Sequence, residues 1–326
     1  MKELALAAFA AETGSHVVEQ PRERRFQRFR RSFEAARYLE SLAERGLRFV
    51  GRSAHDYPEL RELHDPPPGL FLRGAGGAEV LRRPAVAIVG ARACSSYGAQ
   101  VARLLGRELA SAGLVVLSGL ARGVDGEAHR GALEAGGLTI AILGCGIDRD
   151  YPAAHAQLAQ RICERGLVAS EYAPGVEPAP WRFPARNRIV AGLAAATVIV
   201  EARERSGALI TADFALETGR EVFAVPGEIT SSLSAGTNAL LRLGATPLTS
   251  SGDVLEALGV TPAEAEASPL ELSEAAIAVL AVLATEPKGA DQLTRTTGMG
   301  APGVARALAE LELAGAVVEA DGLYRG

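Results

Sequence analysis

The chain is short of most features that announce a chemistry. Its 326 residues hold three cysteines, Cys94, Cys145 and Cys163, with no CxxC spacing. That excludes a disulfide framework and a cysteine-based zinc site, and it fits a reducing, cytoplasmic setting. Lysine occurs only at Lys2 and Lys288, so arginine carries the positive charge, a bias that genome composition or thermal adaptation produces as readily as phosphate binding. Aromatics make up 5%, with a single tryptophan, Trp181. No apolar run is long enough to span a bilayer, and Leu4–Ala11, flanked by Glu3 and Glu12, reads as a helix rather than a signal h-region. No Ser-His-Asp set and no metal-ligand cluster stands out, so neither catalytic nor metal residues are expected. A global positive charge is also missing, the formal net charge being −5. Residues 1–83 carry fifteen basic and twelve acidic groups, 84–255 fifteen and sixteen, and 256–326 four and eleven. Any polyanion contact therefore belongs in the first two-thirds.

What is present is a strong alternation. Residues 1–60 read as short helices, with an arginine-rich stretch from Arg22 to Arg37 that sets Phe26, Phe29 and Phe33 on one apolar face. Two readings of that stretch stay open, a solvated cationic face over a phenylalanine core and a nucleic-acid contact. Asp56-Tyr57-Pro58 and Asp65-Pro66-Pro67-Pro68 then force an extended approach. From Pro84 to Gly259, apolar strands near 85–90, 114–118, 138–143, 167–170, 196–201, 221–225 and 246–248 alternate with helices at 97–112, 125–136, 153–165, 186–194, 207–219 and 236–243. This predicts an α/β, Rossmann-like parallel sheet covered on both faces. G-x-G-x-x-G is absent, as is an acidic residue placed for a ribose, so no dinucleotide cofactor is expected.

A linker of Pro, Ala, Glu and Ser over 260–270 precedes helices at 273–284, 290–297 and 301–314 and a hairpin of 316–319 with 322–325 around Asp321-Gly322. Three helices and a hairpin predict a winged-helix domain over 271–326. Its four basic and eight acidic residues favour a protein partner over a DNA groove. The expected domains are thus a helical segment (1–60), the sheet domain (61–259), the linker and the winged helix.

Three glycine- and arginine-bearing segments carry the functional signal: Gly90-Ala91-Arg92, Ser118 to Gly123, and Phe183 to Arg188. The first two follow βαβ-type strands, where open α/β sheets bind ligands. Glycine there lets backbone N–H groups face an anion, and arginine adds a planar cationic fork suited to phosphate. Three such loops suggest several phosphates, hence a nucleotide or a polymer.

Around these loops the chain resembles the DNA-processing protein A (DprA/Smf) family over about residues 56–326. The ordered motifs are Asp56-Tyr57-Pro58 with Pro66–Pro68; Gly90-Ala91-Arg92 with Ser96-Tyr97-Gly98; and Ser118-Gly119 with Gly123, Asp125 and His129. They continue with Tyr151-Pro152, Ser170-Glu171-Tyr172, Phe183 to Arg188, Glu201-Ala202, Ser206 to Ala212, Val222 to Gly227 and Gly236-Thr237-Asn238. The resemblance implies a non-enzymatic single-stranded DNA-binding protein of natural transformation, which loads RecA and displaces single-strand-binding protein. It also implies a homodimer; the lack of a bilayer-length apolar run separately leaves no membrane partner expected. By position, Gly90, Arg92 and Ser96 would serve the first loop, and Ser118, Gly119, Arg122 and Gly123 the second. Phe183, Arg186, Asn187 and Arg188 would flank the same pocket, with Arg182, Arg203 and Arg205 at positions where the family commonly has basic residues.

The residues themselves leave alternatives. Phe183 and Trp181 are candidates for base stacking or for packing, and Arg186 and Arg188 for phosphate contact or for ion pairs with Glu171 or Glu201. Asp125 and His129, four apart on one helix, could form an acid/base or metal pair, but read better as braces of the helix start, with Asp125 complementing its dipole. Ala91 stands where the family usually has serine, which removes one possible phosphate donor. The amino-terminal region lacks the Gly-hairpin-Gly signature of the helical domain many relatives carry, consistent with a reduced SAM-like domain. The rival reading is a nucleotide phosphoribohydrolase on a similar core, but Arg205 to Asp213 lacks that family's Pro-Gly-Gly-x-Gly-Thr loop and the glutamate placed after it.

Overall fold

Alternate residues of each central strand feed opposite cores. Ala85, Ala87 and Val89 of β3 (Ala85–Val89) enter one cluster, and Val86 and Ile88 enter another on the reverse face. Strands buried on both sides lose the in/out polarity of a half-exposed sheet and read as continuous apolar runs. A computed structural model describes residues 1–14, 24–60, 62–261, 272–313, 316–320 and 322–325. The start of the arginine-rich stretch at Arg22, most of the expected linker 260–270 and Asp321 of the expected turn lie outside them.

All seven expected strands form. With β4 (Val115–Ser118), β5 (Thr139–Leu143), β6 (Leu167–Ser170), β7 (Ala196–Ile199), β8 (Glu221–Ala224) and β9 (Thr246–Pro247), β3 makes a parallel array. Two further strands, β1 (Leu47–Gly51) and β2 (Gly69–Arg73), extend it in the order β1-β2-β6-β5-β4-β3-β7-β8-β9. Both join by antiparallel pairing, β1 on β2 and β2 on β6. This corrects the all-helical reading of residues 1–60. Leu47, Phe49, Leu70 and Phe71 were too few to display a strand period, and only pairing with β6 makes the hairpin worth forming.

Helices α7 (Arg182–Leu193) and α8 (Gly207–Glu217) cover one face. The other is covered by α1 (Lys2–Thr13), α3 (Ala35–Glu44), α4 (Ser96–Ser111), α5 (Val124–Glu134), α6 (Ala156–Arg165) and α10 (Ser251–Ala257). The remaining helices of this unit are α2 (Arg24–Ser32) and α9 (Ala235–Arg242). Residues Met1–Ala263 form one compact unit and Glu264–Gly326 a second. The second holds α11 (Glu274–Leu283), α12 (Ala290–Thr297), α13 (Ala301–Leu313) and the antiparallel pair β10 (Val318–Ala320) and β11 (Leu323–Arg325), the winged-helix arrangement. Val279, Leu283, Leu293, Val304 and Leu311 fill its core. Among the described residues no helix is long and apolar enough to cross a membrane.

Candidate functional site

The strand order reverses between β3 and β7, and the diverging carboxyl-end connections leave a cavity of about 220 Å3. Its walls come from four separate stretches: Gly90 and Arg92; Gly119, Ala121 and Asp125; Phe183, Pro184, Arg186 and Asn187; and Ser206, Gly207, Ala208 and Thr211. Ser206 caps α8 by accepting the N–H of Ala208 at 3.3 Å.

The third segment is not a loop. Helix α7 begins at Arg182, four residues before its expected start, so Phe183 to Arg188 occupy its first two turns. Pro184 costs nothing there, because first-turn N–H groups lack intrahelical acceptors. Arg186 therefore points in beneath the β4 loop, where its guanidinium donates to the Ile142 carbonyl and, through Nε, to Asn187 Oδ1 at 3.2 Å. A Cβ on residue 119 would lie 2.2 Å from the Arg186 guanidinium, so Gly119 is the space that the guanidinium fills.

Asp125 shapes the floor. Its Oδ2 accepts the N–H of Gly119 at 3.1 Å and of Ala121 at 3.2 Å. Those two amides, expected to face a ligand, are turned inward onto a carboxylate instead. Between them Leu120 holds φ 61, the one non-glycine left-handed residue among those described, with its carbonyl 2.9 Å from His155 Nδ1. Backbone strain of this kind persists only where surrounding structure fixes it, and here the fully buried Leu120 side chain does so. Gly123, at φ 73, comes so close to the Ala91 carbonyl that a Cβ would sit 2.3 Å from its oxygen.

The charge balance of the cavity favours an anion. Burial pushes the Asp125 carboxyl up from its ordinary value and the Arg186 guanidinium down, and each group partly offsets the shift of the other. Arg92 adds a second positive charge that favours ionised Asp125 and disfavours charged Arg186. Among the described residues neither Arg92 nor Arg186 has an ion-pair partner. Two guanidinium groups thus face one carboxylate that is already committed to backbone amides. Beside them runs an aromatic strip. Arg92 lies over the Phe183 ring at 5.2 Å, and Tyr151 stacks on Phe183 with centroids 5.3 Å apart and planes at 29°. Tyr151 is 43% exposed.

Of the residues expected from sequence, Gly90, Arg92, Gly119, Phe183, Arg186 and Asn187 meet at the cavity. Arg188 does not. Its Nη1 and Nη2 grip the two oxygens of Glu171 at 2.8 and 2.7 Å, its Nε donates to the Asp65 carbonyl, and its side chain is 5% exposed. Arg182 is buried as well, lying over the Trp181 and Tyr172 rings at 4.8 and 5.3 Å and donating to the Glu177 carbonyl. Ser118 is fully buried and donates to the Ile88 carbonyl at 2.7 Å. Gly123 does not line the cavity and packs against the Ala91 and Arg92 carbonyls. Ser96, Arg122, Arg203 and Arg205 are exposed outside the cavity, although Arg205 lines an adjoining hollow that shares Ser206 and Gly207 with it. Glu201 accepts the backbone N–H and hydroxyl of Ser95, which caps α4. Tyr151 and the clamp role of Asp125 escaped the site reading, because neither exposure nor a loop-directed carboxylate has a sequence period.

Comparison with known proteins agrees with this architecture. The family model for DNA recombination-mediator protein A matches residues 48–259, and that for the DprA winged helix domain matches 262–322. DNA processing protein DprA of Streptococcus pneumoniae is 47% identical over 200 residues, covering 61% of this chain and 70% of the relative. A putative DNA processing protein DprA of Mycobacterium tuberculosis is 40% identical over 312 residues, covering 89% and 80%. The X-ray structure of the Streptococcus pneumoniae protein superposes with TM-score 0.67 and 36% identity over 78% of this chain and 92% of that one. DNA processing protein A from Helicobacter pylori, solved for its single-stranded DNA binding mode, matches with TM-score 0.58 and 32% identity over 65% and 95%. A sheet with its cavity at the strand reversal, a carboxyl-terminal winged helix and these matches together show that the chain belongs to the DNA recombination-mediator protein A (DprA/Smf) family.

Proposed function

We propose that this chain binds single-stranded DNA at the cavity and acts as a recombination mediator that hands the strand to RecA. One observation carries the reading: Arg92 and the buried Arg186, neither with an ion-pair partner among the described residues, share a cavity with a single committed carboxylate, beside the Arg92–Phe183–Tyr151 strip. A backbone phosphate entering the cavity supplies the missing negative charge, and an adjacent base stacks on the exposed Tyr151 ring. Phosphate contacts plus stacking give binding with little sequence preference. Exchange with single-strand-binding protein and action as a homodimer belong to the same proposal.

A binding role rather than an enzymatic one is supported by the cavity lining. Asp125, the carboxylate there, spends one oxygen on Gly119 and Ala121, and Ser206 caps α8. The test pairs Arg92→Ala binding to oligo-dT with incubation of the wild-type chain with AMP. Uniform weakening on all sequences with no release of free base is the expected result. Base release would favour the phosphoribohydrolase reading.

A further inference from the structure

Helix α2 carries a second cationic surface. Arg24, Arg25, Arg28, Arg30 and Arg31 are all exposed, and among the described residues none has an ion-pair or hydrogen-bond partner. Nine residues of helix span about 13 Å, so five guanidinium groups crowd a surface little longer than two turns. Its apolar side is already used. Phe26 is fully buried, and Phe9 meets Phe26 and Phe29 at 5.5 Å each.

The ring series continues outward from that core. Phe29 stacks on Phe33 at 5.3 Å, and Phe33 meets Tyr38 at 5.4 Å. These three half-buried rings line an open hollow of about 690 Å3 together with Glu12, Arg37 and Pro174. Glu34 at its rim is paired with Arg37 at 3.6 Å, which leaves Glu12 as the opposing charge among the described lining residues. Pro174 follows the carboxyl end of β6, the same sheet edge that bears the cavity. Tyr172, two residues earlier, meets the exposed Trp181 ring at 6.4 Å, and Trp181 caps the helix whose Phe183 lines the cavity.

We propose that α2 and the Phe29–Phe33–Tyr38 hollow form a second single-strand contact, taking the part of a longer strand that leaves the cavity past Trp181. This rests on the cavity being a single-strand site. A membrane is disfavoured because an interfacial helix needs a free apolar face, and the phenylalanine face of α2 is turned onto Phe9. An acidic protein would use the charges but leave the rings without a role, whereas bases stack on them.

The experiment compares the full chain with an Arg24→Gln/Arg28→Gln/Arg31→Gln variant, which leaves Phe26 and its core untouched. Labelled dT strands of about six and about twenty nucleotides are titrated at several salt concentrations. The variant is expected to bind the long strand about tenfold more weakly, with a log–log salt slope smaller by about two, and the short strand as before. The corresponding Arg→Lys variant should restore the slope. A triple Gln variant equal to wild type on the long strand overturns the proposal alone, as does equal weakening on both strands. So does a loss confined to adsorption on phosphatidylserine vesicles. A wild-type chain that retains neither strand overturns the cavity reading as well.

Discussion

Arg188→Ala is the sharpest division between a DNA contact and a structural charge. The bidentate pair with Glu171 is closed to solvent, the two side chains being 5% and 0% exposed. Removing the cation leaves Glu171 buried and uncompensated, which costs about 3–5 kcal/mol for a pair of this kind. In a unit the size of Met1–Ala263, each kcal/mol moves Tm by roughly 2–4 °C, so the transition should fall by roughly 6–20 °C. Adding Glu171→Gln should recover much of that loss, because the orphaned charge is then gone. Calorimetry of wild type, single and double variants reads this directly, with oligo-dT binding measured well below the lowered transition and expected to be near wild type. An Arg188→Ala protein of unchanged Tm that binds oligo-dT tenfold more weakly would instead place Arg188 in the interface.

Three further outcomes follow from the same geometry. Gly119→Ala should drive the Arg186 guanidinium out of its place, cost about 1 kcal/mol of stability and weaken oligo-dT binding about tenfold in fluorescence anisotropy; wild-type affinity would contradict the placement of Arg186. Tyr151→Ala should remove one stacking platform, about 1–3 kcal/mol or roughly 5- to 150-fold in Kd, with a stability loss of no more than about 0.5–1.5 kcal/mol from the lost contact with Phe183. His129 sets a pH dependence. The Thr139 hydroxyl donates to the Val116 carbonyl at 2.7 Å, so its oxygen accepts from His129 Nδ1 at 2.7 Å, and Nε2 is left buried without a partner. Burial pushes His129 down to about 3, whereas the unfolded chain protonates it near 6.5. The unfolded state therefore gains a proton that the fold refuses. Stability should be flat for this group above pH 6.5 and fall by about 1.4 kcal/mol per pH unit below it. Melting between pH 7 and pH 5 checks this, with His129→Gln expected to flatten the slope.

The parallel sheet was legible because strands buried on both faces leave unbroken apolar runs between amphipathic helices. The winged helix was legible from helix periods and a turn pair. The β1–β2 hairpin was not, since its stability comes from pairing with β6, a long-range contact with no local period. At the site, sequence located the segments but not the direction of their side chains. Arg186 and Arg188 stand two apart on α7, and a helix sends positions two apart to different faces. One guanidinium enters the cavity and the other meets Glu171. Glycine at 119 suggested amides for a phosphate, whereas the structure gives those amides to Asp125 and uses the missing Cβ for Arg186.

Single-strand binding at the cavity is tested by titrating the full chain with oligo-dT and with a duplex of equal length, at low and at moderate salt, alongside Arg92→Ala. Preference for the single strand, a log–log salt slope of about −0.7 per phosphate neutralised, and a uniform loss of affinity in Arg92→Ala are expected. Equal binding of duplex, salt-insensitive binding, or an Arg92→Ala chain that binds as wild type would contradict it.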